Sequence, residues 1–119
     1  MANTITGTLA SVTTTEEQAW NTLFPTMYTF TGTISDQDAV ALTAIGEFDV
    51  TMTGVALNDM VLGISIGKDL DDGTDQCSAS AHISAADTVT VQLSADNAEF
   101  AADDLNTAAV HILIGRPGW

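Results

Sequence analysis

Apolar and polar residues alternate with a period of two along most of the chain. Val89, Val91 and Leu93 alternate with Thr88, Thr90 and Gln92, the spacing that sends one set of side chains to a core and the other to solvent. Phe48, Val50 and Met52 alternate with Asp49, Thr51 and Thr53, and Tyr28, Phe30 and Ile34 with Thr29, Thr31 and Thr33. Met60, Leu62, Ile64 and Ile66 share one parity, which predicts one apolar face, and Val110, Ile112 and Ile114 predict another. Ala79, Ala81 and Ile83 repeat the pattern with small residues opposite Ser78, Ser80 and His82. Ile5 with Leu9, and Val40 with Leu42, suggest two further short strands. Threonine suits such half-exposed pleated surfaces. Gly46, Gly54, Gly67, Gly73 and Gly115 punctuate the runs and are expected in turns.

Helical pattern is scarce. In the segment Thr14 to Trp20, Thr14 and Glu17 stand at capping-box spacing, Trp20, Leu23 and Phe24 would share a side, and Pro25 would end the helix. Six to eight short strands at intervals of about 8–12 residues, with turn signals between them, read as a sandwich or barrel. The expectation is therefore one all-β domain over residues 1–119, an antiparallel β-sandwich with at most one short helix near the N-terminus.

Composition narrows what such a domain does. Sixteen acids face two bases, Lys68 and Arg116, for a formal net charge of −14. Phosphate backbones are neutralised by several Lys or Arg on one face, so nucleic acid is excluded as a partner, and anionic membrane surfaces are disfavoured by the same sign. No apolar run approaches the roughly 20 residues that span a bilayer. Met1 is followed by Asn3, Thr4 and Thr6 with no base, so no secretory leader is expected. The one cysteine, Cys77, rules out an internal disulfide, leaving apolar burial to stabilise the domain. Acid-rich, lysine-poor composition resembles that of proteins from salt-loving organisms, where screening shrinks to about 3 Å at molar salt.

Candidate chemistry is sparse, and no enzyme is expected. His82 and His111 each fall inside a predicted strand, with His111 on the face opposite Val110 and Ile112. Cys77 has no basic neighbour to lower its thiol pKa. No nucleophile elbow, phosphate loop or His/Cys metal spacing occurs. The one candidate metal site is Asp69, Asp71, Asp72 and Asp75 around Gly73, four carboxylates able to offer oxygen ligands to Ca²⁺. It departs from the EF-hand pattern, and a solvated acidic loop is the default reading. No other cofactor is expected.

Aromatic residues mark candidate interfaces instead. Trp20, Phe24, Tyr28 and Phe30 lie within eleven residues, and Trp119 follows Arg116-Pro117-Gly118. Trp is a preferred anchor in protein interfaces, which makes Trp20, Phe24, Tyr28 and Trp119 candidate contact residues. A helical turn closing one open end of the sandwich explains the first group without a partner.

The stretches Gly54-Val55-Ala56-Leu57-Asn58-Asp59-Met60-Val61-Leu62-Gly63 and His82-Ile83-Ser84-Ala85-Ala86-Asp87-Thr88-Val89-Thr90-Val91-Gln92-Leu93 resemble a recurrent pattern in small virion proteins of tailed viruses. There a G-A-x-x-G-D-x-V-L strand precedes a V-S-A-A-D-T-V-T-V-R-L strand. The family is that of β-sandwich capsid decoration (cement) and head-fibre proteins, and the resemblance runs from Gly54 to Ile114. Asn58 stands where the family has Gly, Gln92 where it has Arg, and the acidic Asp69 to Asp75 loop where it has an apolar segment.

The resemblance implies a structural virion protein on the outer surface of the head, a homotrimer bound to the major capsid protein, with residues 1–35 near the shell or neighbouring protomers. With the composition it points to a tailed virus of a halophilic archaeal host, a marine phage being the second choice. Turret, head-fibre or tail component, and receptor- or glycan-binding module, are the alternative functions.

Overall fold

A computed structural model describes residues 3–13, 23–68, 70, 77–95 and 100–119. The regular elements among them are seven antiparallel strands: β1 (Thr4–Thr13), β2 (Thr26–Asp36), β3 (Ile45–Thr51), β4 (Met60–Ile66), β5 (Cys77–Ala85), β6 (Thr88–Ala95) and β7 (Ala109–Arg116). They form a four-stranded sheet, ordered β1-β2-β7-β4, and a three-stranded sheet, ordered β3-β6-β5. The expected all-β sandwich is thus present. The segment Thr14 to Trp20, where the short helix is expected, lies outside the described residues.

The core follows from the alternation. Phe48, Val89, Val91, Leu93, Val110 and Ile114 lose all measurable solvent exposure between the sheets, joined by Phe30, Ile34 and Ile112. At about 25 cal/mol per Å² of apolar area removed from water, each such side chain contributes on the order of 2 kcal/mol. The central strands β6 and β7 are buried most regularly, whereas Ile5 and Leu9 on the edge strand β1 are only partly covered.

Three sequence expectations change in the folded chain. A bulge between Val61 and Gly63 breaks the parity of β4. Val61, Ile64 and Ile66 therefore pack on the core, and Leu62 turns to the other side instead of joining Ile64. Val40 and Leu42 form no strand: Val40 makes an isolated bridge with Phe100, and Leu42 is exposed. Gly46 and Gly115 lie within strands, not turns. At Gly115 a Cβ would meet Phe24 at 2.6 Å and Leu62 at 2.8 Å, so hydrogen is the only side chain that lets those two close over the strand.

The loops at one end are organised by a buried glutamine. Gln37 is fully buried; its Nε2 donates to the carbonyls of Asp38 and Ala101, and its Oε1 accepts the Leu105 N–H at 3.0 Å. Satisfied on both sides, it holds residues 100–108 against β2 where an unpaired amide would cost about 1–3 kcal/mol. The molecule is long, 48 × 24 × 22 Å, and only the strand direction supplies that length, since the 11 residues of β2 extend about 36 Å.

Gly32 and Gly63 predict opposite responses to a methyl group. A Cβ on Gly32 would lie 2.7 Å from both the Thr6 carbonyl oxygen and Phe30 Cε1, whereas one on Gly63 meets nothing within 4 Å. Urea denaturation is expected to show Gly32→Ala destabilised by about 2 kcal/mol and Gly63→Ala within about 0.5 kcal/mol of the parent.

Candidate functional site

The feature that sets one end of the sandwich apart is built around the single arginine. Arg116 closes β7, and its Nε and Nη2 donate to Asp59 Oδ1 and Oδ2 at 2.9 and 2.8 Å. The fork-on-carboxylate geometry is the strongest form of ion pair available to these groups. Nη2 also donates to the Gly54 carbonyl at 2.8 Å, and the guanidinium carbon lies 5.6 Å from the centre of the Tyr28 ring. The Asp59 side chain is 2% exposed and that of Arg116 39%.

Asp59 is positioned by its own loop, because Oδ2 accepts the Ala56 N–H at 2.9 Å, a side-chain bond that closes the turn entering β4. Gly54 takes a positive φ of 100°, which glycine tolerates. Its carbonyl accepts from Tyr28 Oη at 3.2 Å and its N–H donates to Asp87 Oδ1 at 2.8 Å. Asp87 sits in the β5–β6 hairpin with φ of 65°, a left-handed position that Asp adopts more readily than most residues. The Met52 N–H donates to its carbonyl. One network thus ties β2, β7, the 52–59 loop and the β5–β6 hairpin, and so joins the two sheets.

Burial alone pushes the Asp59 carboxyl up. The hydrogen bonds from Arg116 and Ala56, with the arginine charge, outweigh it and hold the group below its ordinary value of 3.8. Hydrogen bonding to Asp59 raises Arg116 correspondingly.

Around this polar knot lies an apolar rim. Phe24 packs on Trp119 with ring centroids 5.8 Å apart and planes tilted by 58°, and the Gly118 N–H donates to the Leu23 carbonyl at 2.9 Å. Leu23, Leu57, Met60 and Trp119 are exposed, Leu57 at 64% and Trp119 at 76%. Ala56, Asn58, Asp59, Arg116, Pro117 and Trp119 border a cleft of about 350 Å³.

Of the candidate contact residues, Trp119 therefore stands in solvent, while Phe24 and Tyr28 are buried in the chain's own packing. Trp20 and the candidate Ca²⁺ ligands Asp69, Asp71, Asp72 and Asp75 lie outside the described residues. Among the described residues no three His, Cys, Asp or Glu side chains gather as metal ligands. His82 and His111 are exposed on strands of different sheets, so the fold does not bring them together. Cys77 is buried at the start of β5.

Sequence reasoning passed over Arg116, Asp59, Leu57 and Met60 as site residues. The available signal was scarcity: a chain with one arginine has one bidentate partner for a buried carboxylate. No family model, curated protein or solved structure matches the chain.

Breaking the pair from either side leaves a buried group unmatched. Asp59→Asn and Arg116→Ala are each expected to destabilise by about 2 kcal/mol, below the roughly 3–5 kcal/mol of a fully enclosed pair because the guanidinium is partly solvated. The depressed Asp59 stabilises the fold above the unfolded-state value of 3.8 and loses that contribution as pH falls through its lower folded-state value. Denaturation from neutral to acid pH should show the gap between parent and Asp59→Asn constant above pH about 5 and closing below it; a gap that does not narrow in acid would contradict the assignment.

Proposed function

We propose that this protein is a structural component of a virion, a decoration protein bound to the outer surface of the capsid of a tailed virus. The observation that carries the reading is the opposition of the two ends. At one end the formal charges among the described residues are Arg116, Asp59 and Asp87, of which the first two neutralise each other, and the exposed apolar side chains Leu23, Leu57, Met60 and Trp119 surround them. The opposite end gathers Asp36, Asp38, Asp103 and Asp104 against Lys68, on the loops organised by Gln37.

An end whose described residues are largely apolar and carry one net negative charge suits burial against another protein, since exposed apolar groups in a cluster mark contact surfaces. An acidic end suits solvent, where it keeps particles apart. A net charge of −14 is repelled by packaged DNA, which supports a position outside the shell. The resemblance of Gly54–Gly63 and His82–Leu93 to decoration proteins supports the same reading. In this proposal the Trp119 end attaches to the major capsid protein, the acidic end points outward, and the copies associate as a homotrimer. The acid-rich, lysine-poor composition supports a halophilic host.

Such a protein works through binding energy distributed over many symmetric copies. A standard interface of about 800 Å² per partner, centred on a Trp anchor, ties adjoining capsid subunits together. Cryo-EM and protein quantification of purified particles test this: hundreds of copies on the outer shell are expected, and density inside the shell, or a few copies in the tail, would sink it. Trp119→Ala is expected to lower affinity for the head by about 30-fold, the equivalent of roughly 2 kcal/mol for an interface anchor, read as loss of occupancy on reconstituted heads.

A further inference from the structure

In a chain with sixteen acids, the strands of the larger sheet are almost free of them among the described residues. The four strands of the larger sheet contain one formal acid, Asp36, and one base, Arg116, at opposite ends. Between them the outer face is neutral. Thr8, Thr31, His111 and Ser65 stand in register as a row across all four strands. Ala10, Thr29, Leu113 and Gly63 form the next row. Gly63 leaves a depression of about 530 Å³ beside Leu113 and His111. The smaller sheet differs: its corresponding face carries Glu47, hydrogen-bonded to Gln92, and Asp49, hydrogen-bonded to Thr90.

The strand edges repeat the contrast. Edges are ordinarily guarded against pairing by charge, Pro or bulges. β3 carries Glu47 and Asp49, and β4 is bulged. β1 is the edge of its sheet, ten residues long, with no charge and no proline; its register shift falls at the first pair, Thr4/Ile5, so that Ile5 to Thr13 run regularly, and its inward Ile5 and Leu9 are only partly covered.

We propose that the outer face of the four-stranded sheet is where copies of this chain meet, with the Gly63 depression at the centre and the β1 edge on the rim. The charge pattern selects a second copy as the occupant. A basic partner gains by meeting carboxylates and is drawn to the other surfaces, whereas a copy at −14 approaches without burying like charges only where neither molecule presents any. Rows of hydroxyls meet such rows as both donors and acceptors, so one part of the face on one copy can meet a different part, or the β1 edge, on the next, as a ring requires. Its area is adequate: four strands about 4.8 Å apart and about eight residues long cover about 500 Å² in plan, and side-chain relief with the β1 edge brings it near the roughly 800 Å² per partner of a stable contact. The inference stands without the virion reading and deepens only its homotrimer by naming the face.

Sedimentation of the full chain from about 1 to about 100 μM, where interfaces of this size associate, at low and at molar salt tests it. The parent should sediment as a multiple of its 12.4 kDa mass, more strongly at high salt, where the remaining repulsion is screened. Gly63→Glu places a like charge at the centre of the face where a new Cβ meets nothing within 4 Å. It should raise the dissociation constant by about 100-fold or more with circular dichroism and Tm unchanged. Thr31→Glu, exposed in the adjoining row, should do the same and serves if Gly63→Glu fails to fold. Ser80→Glu, exposed on the smaller sheet, should leave association as in the parent. A parent that stays monomeric in molar salt overturns the proposal, as do both face variants assembling normally. In the latter case the homotrimer survives and only the face is lost; a dimer abolished by Gly63→Glu keeps the face and removes the threefold count.

Discussion

Burial of one row of aliphatic side chains between two sheets is the constraint on which the rest of this molecule depends, because charge cannot stabilise it. Two bases among sixteen acids leave no material for ion-pair networks, and without an internal disulfide the chain holds itself by Phe48, Val89, Val91, Leu93, Val110, Ile114 and their neighbours. Each strand must then keep its parity, since a slip by one residue would exchange the buried and exposed sets. Where parity fails, at the Val61–Gly63 bulge, the chain takes up one extra residue and restores it, so that Ile64 and Ile66 still reach the core.

The same shortage of bases decides where carboxylates go. Among the described residues most are exposed or half-exposed. Asp59 is the exception, and it is matched by the chain's only arginine, two hydrogen bonds to that arginine and one from its own loop. An isolated carboxylate in that position would be costly, and the pair also fixes conformation: it holds the loop before β4 against the end of β7, and through Gly54 and Asp87 it reaches the other sheet. Among the described residues the knot thereby leaves this end with one net negative charge.

The two stretches on which the resemblance to decoration proteins rests acquire a physical meaning from this geometry. Asp59 and Asp87, one in each stretch, are the side chains that cap the 52–59 loop and join it to the β5–β6 hairpin. Their placement makes a structural joint between the two sheets. A pattern of this kind therefore speaks for the fold.

Much of the architecture was legible in the residues themselves. Alternation identified β2, β3, β5, β6 and β7 with their inward faces, because the period of a strand is local and each repeat reports it independently. Net charge and the scarcity of bases, being sums over the chain, likewise needed no coordinates. Long-range proximity had to come from the fold. That Arg116 meets Asp59, 57 residues away, that Gly115 is bare because Phe24 and Leu62 close over it, and that Tyr28 is enclosed while Trp119 is exposed follow from which strands become neighbours. The uncharged rows across the larger sheet are of the same kind. Thr8, Thr31, His111 and Ser65 are scattered in sequence and become one row only when four strands align, because sheet register is a property of pairing between distant segments and no local period encodes it.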